Sequence, residues 1–76
     1  MKIGDFKRFD YGATIICGYC DYYDVFMVDI DEDRIELSDE NGMVIGTINV
    51  DQLDNIEVIN YDDNGRMVGL SDLNDN

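Results

Sequence analysis

Cys17-Gly18-Tyr19-Cys20 sets two thiols at the spacing shared by disulfide oxidoreductases and by half of many zinc sites. Redox work needs a thiolate, normally favoured by a helix N-terminus or a nearby cation. Here the pair follows the apolar run Ala13-Thr14-Ile15-Ile16 and precedes Asp21 and Asp24, whose negative charge opposes a thiolate. The surrounding pattern is strand-like and lacks the βαβ units of a thioredoxin-like fold. As zinc ligands, two cysteines supply half a tetrahedral set, and the chain holds no histidine to complete it. A dimer could assemble four cysteines, or Asp21 could join the set. The simpler reading places Cys17 in the core and Cys20 in a turn, with no cofactor.

A second pattern suggests calcium. Counting Asp29 as the first position puts Asp29, Asp31, Asp33 and Glu40 at positions 1, 3, 5 and 12 of an EF-hand loop. The sixth position should be glycine and is Arg34, and no helical periodicity flanks the segment. The expectation is a coincidence of spacing and no metal site. Absent chemistry points the same way. There is no histidine for acid–base work near neutral pH and no glycine-rich phosphate loop. The chain is expected not to be an enzyme.

The carboxylates matter collectively. The net charge is −13, from 18 Asp and Glu against 5 Lys and Arg. Residues 1–8 hold Lys2, Lys7 and Arg8 against Asp5, a net of +2, so the rest of the chain carries −15. Such a field repels nucleic acid and anionic membranes and attracts basic proteins or cations. Solubility alone asks for a charge of about 2–8 on a small domain. A hydrophobic fraction of 45%, with five Tyr and three Phe, argues against disorder.

These groups must be positioned by strands. Apolar runs alternate with Asp/Asn/Gly clusters, and proline is absent. The run 24–31 puts Phe26, Val28 and Ile30 on one face, opposite Met27 and Asp29. Ile35 and Leu37 face inward and Glu36 outward. Asn41-Gly42 signals a tight hairpin with positive φ at both residues. The strand 43–50 would set Val44, Ile48 and Val50 on one side, with Gly46 marking a bend or bulge. A 3₁₀ turn is expected at 51–54, then strands over 55–61 and 66–70 joined by Asp62-Asp63-Asn64-Gly65. Ile3, Phe6 and Phe9 fit either a helical turn or an irregular strand.

The fold class expected is mostly β: a small five- to six-stranded antiparallel barrel or strongly bent sheet. The order of a long early loop, a central hairpin, a 3₁₀ turn and a last strand resembles a Src-homology-3-like (SH3-like) barrel. That resemblance implies architecture and no peptide-binding function, since Trp and Pro are absent. Residues 1–70 form the single domain and 71–76 a polar tail.

The expected partner-binding residues are Asp21, Asp24, Asp29, Asp31, Glu32, Asp33, Glu36, Asp39 and Glu40, with Tyr22 and Tyr23 as aromatic anchors. Tyr19 and Tyr61 could add to them, and of the adjacent Tyr22 and Tyr23 one at most points inward. Further carboxylates at Asp51, Asp54, Glu57, Asp62 and Asp63 sit at loops or outward faces. Carboxylates on a rigid scaffold can imitate a row of phosphates. The expected partner is therefore a basic nucleic-acid-binding enzyme, with no direct contact to nucleic acid or membrane. In style the chain resembles phage-encoded inhibitors of CRISPR effectors and restriction enzymes. Two alternatives stand: an immunity protein neutralising a toxin, and a β-barrel adaptor using outer apolar residues such as Ile45, Ile59 and Met67. Residues 1–5 lack the apolar run of a signal peptide, so a cytoplasmic location is expected.

Overall fold

The computed structural model describes residues 5–18 and 20–73. Tyr19, Ile3 and the end of the expected tail, 74–76, lie outside the described residues. The chain forms β1 (Asp5–Cys17), β2 (Cys20–Ile30), β3 (Arg34–Ser38) and β4 (Val44–Asn49). A 3₁₀ segment (Val50–Asn55) leads into β5 (Ile56–Tyr61) and β6 (Met67–Asp72). All six strands pair antiparallel in one sheet of order β4-β3-β2-β1-β5-β6. Among the described residues no ladder joins β4 to β6, so the expected closure into a barrel is not made and both remain edges. No helix of the described residues is long and apolar enough to cross a membrane.

The sheet is bent. Its principal extents are 34 × 24 × 24 Å. A flat sheet would be only about 10 Å thick, so the two equal shorter extents show a sheet that is strongly twisted and bent. Bending lets one face bury itself. Ile15, Val25 and Val28 on β1 and β2, Ile35 and Leu37 on β3, and Ile56 and Val58 on β5 are sealed from solvent. Leu53, from the 3₁₀ segment, joins the same core. That segment is capped at its start by Asn49, whose side chain accepts a hydrogen bond from Asp51 N at 3.0 Å.

Tyr22 and Gly46 provide a contact across the bend. Their strands, β2 and β4, are not paired, because β3 lies between them. Yet a Cβ on Gly46 would fall inside the van der Waals shell of the Tyr22 ring. Gly46 is thus the landing surface of an aromatic ring from across the fold. It also borders the expected irregularity: Leu37 pairs with Gly46 but Ser38 with Val44, leaving Ile45 as an extra residue. The extra residue reverses the alternation. Val44, expected on the same side as Ile48, is instead exposed beside Met43 and Ile45.

Two turns share one construction. In 39–43 the Asp39 Oδ1 accepts from Asn41 N at 2.9 Å and from Met43 N at 3.0 Å. In 62–66 the Asp62 Oδ1 accepts from Asn64 N and Arg66 N, both at 2.9 Å. Gly42 and Gly65 take φ of +83° and +79°, while Asn41 and Asn64 do not have positive φ. The expected Asn-Gly turn with two left-handed residues is therefore replaced by a longer loop with one, stitched by an aspartate. Beyond the second turn, β6 runs past the expected boundary at residue 70, and Leu73 is buried.

Gly46→Ala is expected to destabilise the protein by about 1–3 kcal/mol, the usual cost of overpacking, read from urea unfolding. In a Tyr22→Ala background the same substitution should cost much less. Equal costs in both backgrounds would show that the ring does not rest on β4.

Candidate functional site

The acidic residues singled out in the sequence gather at the two ends of β2, except Asp39 and Glu40, which lie in the turn between β3 and β4. At the C-terminal end of β2, Asp29 pairs across the ladder with Glu36 on β3. Asp31 follows where β2 ends, tied to Arg34 by a 2.9 Å backbone bond from Asp31 N to Arg34 O. The carboxylate oxygens of Asp29, Asp31 and Glu36 lie within 4.8 Å of one another. Asp29 and Glu36 are half-buried and Asp31 is exposed. The Arg34 Nε approaches Glu36 Oε2 at 3.6 Å and offsets part of this charge. Glu32 and Asp33 are exposed in the adjoining turn. Such a cluster favours cations, whether a metal ion or a basic side chain.

The calcium-loop spacing does not survive folding. Asp33 and Glu40 lie at opposite ends of β3, and the segment is strand, turn and strand. The grouping instead takes Glu36 in place of Asp33 and Glu40. Strand pairing, which a linear count ignores, decides the set. Asp39 has one carboxylate oxygen committed to its turn, and Glu40 is exposed in that turn.

At the N-terminal end of β2, Asp21, Tyr23 and Asp24 are exposed, and the Tyr23 hydroxyl makes a long 3.4 Å contact to Asp21 Oδ2. Tyr22 points the other way, half-buried against β4 and the core. Tyr22 is therefore a packing residue first. Cys17 and Cys20 sit opposite each other across the β1–β2 turn, both as free thiols. Cys17 packs partly against the core and Cys20 is exposed. Both belong to strands, and Cys17 pairs with Ile56, which caps the C-terminal end of the 3₁₀ segment.

The sequence reading missed Tyr11. Along β1, Arg8 pairs with Met27 but Ala13 pairs with Val25, so residues 9–12 stand against Phe26 alone. Gly12 turns this corner at φ +79°, its Cα facing the Phe26 ring. One step on, Thr14 stands against both Tyr23 and Asp24. Asp24 takes φ +56°, a left-handed conformation uncommon outside glycine. A cleft of about 350 Å³ opens where these irregularities meet the β5–β6 turn. Tyr11, Tyr23 and Tyr61 border it, with Asp24, Thr14 and Gly65. Thr14 Oγ1 and Tyr61 Oη share a 2.8 Å hydrogen bond.

Two apolar patches lie on the sheet edges. Met43, Val44 and Ile45 are exposed at β4, and Met67, Val68 and Leu70 at β6. Of the outer residues expected to serve an adaptor, Ile45 and Met67 are exposed and Ile59 is half-buried.

Burial holds the Tyr22 phenol above its ordinary pKa of 10.0. Negative charge on Cys20 and Cys17, once ionised, and a hydrogen bond with Cys20 act in the same direction. A raised pKa in the folded state stabilises the fold below the ordinary value, and that contribution is lost as pH climbs through the folded value. Stability should therefore fall above about pH 10. Tyr22→Phe should flatten the fall, read from urea midpoints at rising pH; an unchanged slope would remove Tyr22 as its source.

Comparison with protein-family models, with curated proteins and with solved structures finds no match.

Proposed function

We propose that this chain works by binding rather than catalysis, and that its acidic surface occupies the basic nucleic-acid-binding surface of an enzyme such as a nuclease or a CRISPR or restriction effector. The observation that carries the reading is the cluster of Asp29, Asp31 and Glu36, with carboxylate oxygens within 4.8 Å of one another on the paired strands β2 and β3 and the turn between them, inside a chain of net charge −13. Duplex DNA presents about one charge per 1.7 Å of axis, so dense carboxylates are what a groove built for phosphates attracts. Paired strands hold Asp29 and Glu36 with little backbone entropy left to lose on binding. Glu32 and Asp33 extend the charge on the exposed turn. This is the style of a phage anti-defence inhibitor, acting in the cytoplasm.

For the fold we propose an SH3-like barrel left open between β4 and β6. Its support is the meander of β1 to β4, followed by a 3₁₀ segment and the return of β5 to pair with β1.

A second reading, a small adaptor, is favoured by the exposed apolar edges Met43-Val44-Ile45 and Met67-Val68 with Leu70. Salt separates the two. Captured from a nuclease-treated lysate and then purified, a mimicry partner should be displaced by its own DNA or RNA. Its affinity should fall on the order of a hundredfold between low and moderate salt. A variant carrying Asp29→Asn, Asp31→Asn, Glu32→Gln, Asp33→Asn and Glu36→Gln should lose the partner. Unchanged affinity in that variant, or a partner indifferent to salt, would transfer the reading to the apolar edges.

A further inference from the structure

The cleft bordered by Tyr11, Tyr23 and Tyr61 is built by departures from regular pairing. Three tyrosines from three different strands reach it, and two of them are well exposed, at 57% for Tyr11 and 64% for Tyr23. Tyrosine, with an apolar ring and a polar hydroxyl, is enriched at interfaces. The excursion of β1 over residues 9–12 turns Tyr11 outward, and the bulge opposite Thr14 delivers Tyr23 and Asp24. Bulges re-aim side chains in this way at functional sites. Asp24 holds a left-handed conformation to be there, whereas glycine would adopt it at no steric cost.

The lining fixes the class of ligand. It contains three aromatic rings and the Asp24 carboxylate, and no Lys or Arg. Aromatic faces and a carboxylate both attract organic cations, and no cationic side chain lines the cleft to favour an anion. The bond between Thr14 and Tyr61 anchors one ring from the buried side, since Thr14 is itself 5% exposed. At about 350 Å³ the cleft is at the small end of ligand sites. It suits the end of a side chain rather than a nucleotide or a cofactor.

We infer that this cleft receives the ammonium or guanidinium end of a lysine or arginine side chain from a basic partner protein. The inference rests on the proposed reading that the partner is basic, and it adds an anchoring point distant from the Asp29–Asp31–Glu36 cluster. A field of −13 concentrates such side chains near the surface. The aromatic rings and Asp24 then hold one of them, contributing a geometric selectivity that diffuse charge lacks.

The test is a titration of the isolated chain, followed through the ring signals of Tyr11, Tyr23 and Tyr61 by NMR. The probes are N-acetyl-lysine amide and N-acetyl-arginine amide. Tetramethylammonium serves as a small-molecule cation and N-acetyl-norleucine amide as an uncharged control. One or both cationic amides should saturate the shifts of these rings, and the norleucine amide should not. Tyr11→Leu and Tyr23→Leu should each weaken binding roughly fivefold. Asp24→Asn should do likewise while keeping the left-handed backbone, which asparagine tolerates. Ring shifts with the norleucine amide equal to those with lysine, or none with either cationic amide, would overturn the inference. Response to tetramethylammonium alone would overturn its assignment to a protein side chain. The five-site Asp29–Glu36 variant leaves this cleft intact. Saturable amide binding without any salt-sensitive basic partner would therefore sink the mimicry reading and keep the cleft, and the reverse result would do the opposite.

Discussion

A single sheet has no second layer to cover its apolar face, and this chain forms no helix beyond one 3₁₀ segment among the described residues. The sheet must therefore cover itself. Everything else in the structure follows from how the bend is made. A chain of 76 residues buries a smaller share of its surface than a larger domain does, so contacts across the bend carry unusual weight. Tyr22 crosses from β2 to the backbone of β4, and glycine at position 46 makes room for its ring. Leu53 enters the same core from the 3₁₀ segment. These contacts take the place of the β4–β6 ladder that a closed barrel would possess.

Bending also has a local consequence. Regular antiparallel pairing accumulates twist but does not turn a corner; extra residues on one strand do. The corners here fall at residues 9–12, at Tyr23 and Asp24, at Ile45 and at Val68. At these corners Tyr11, Tyr23, Asp24, Ile45 and Val68 turn out to solvent, while Phe9 still packs against the core. The tyrosine cleft and the two apolar edges are therefore by-products of curvature. They are also the places where a small fold can present side chains that regular alternation would have buried.

Much of this was legible in the sequence. Alternation at Val28 and Ile30, and at Ile35 and Leu37, gave strands and their inward faces, because paired strands without bulges keep period two. Asp-x-Asn-Gly marked both hairpins, although the aspartate, more than the asparagine, organises each turn. Other features were not legible. Val44 changes face because Ile45 is extra, and no local residue type announces that. Asp29, Asp31 and Glu36 come together through the β2–β3 register, while the eye counting along the chain groups Asp33 and Glu40 with them. Tyr11 has an unremarkable sequence neighbourhood; it becomes part of a site only through a four-residue excursion against Phe26.

The edges give the acidity a second physical meaning. Natural sheets protect unpaired edges with charged side chains or proline. Here residues 43–50, which include all of β4, contain no charge, and β6 holds a single one at Asp72. By local rules both edges invite pairing with another copy. A second copy, however, brings the same −13. Edge-to-edge contact would place the two fields within a Debye length of about 8 Å, where salt screens them poorly. Repulsion spread over the whole surface thus replaces charges absent from the edges. It is selective in a way that local charges are not, because it opposes another copy of this chain and favours a basic protein. The charge that guards the edges against self-pairing thus leaves them open to a partner of opposite sign.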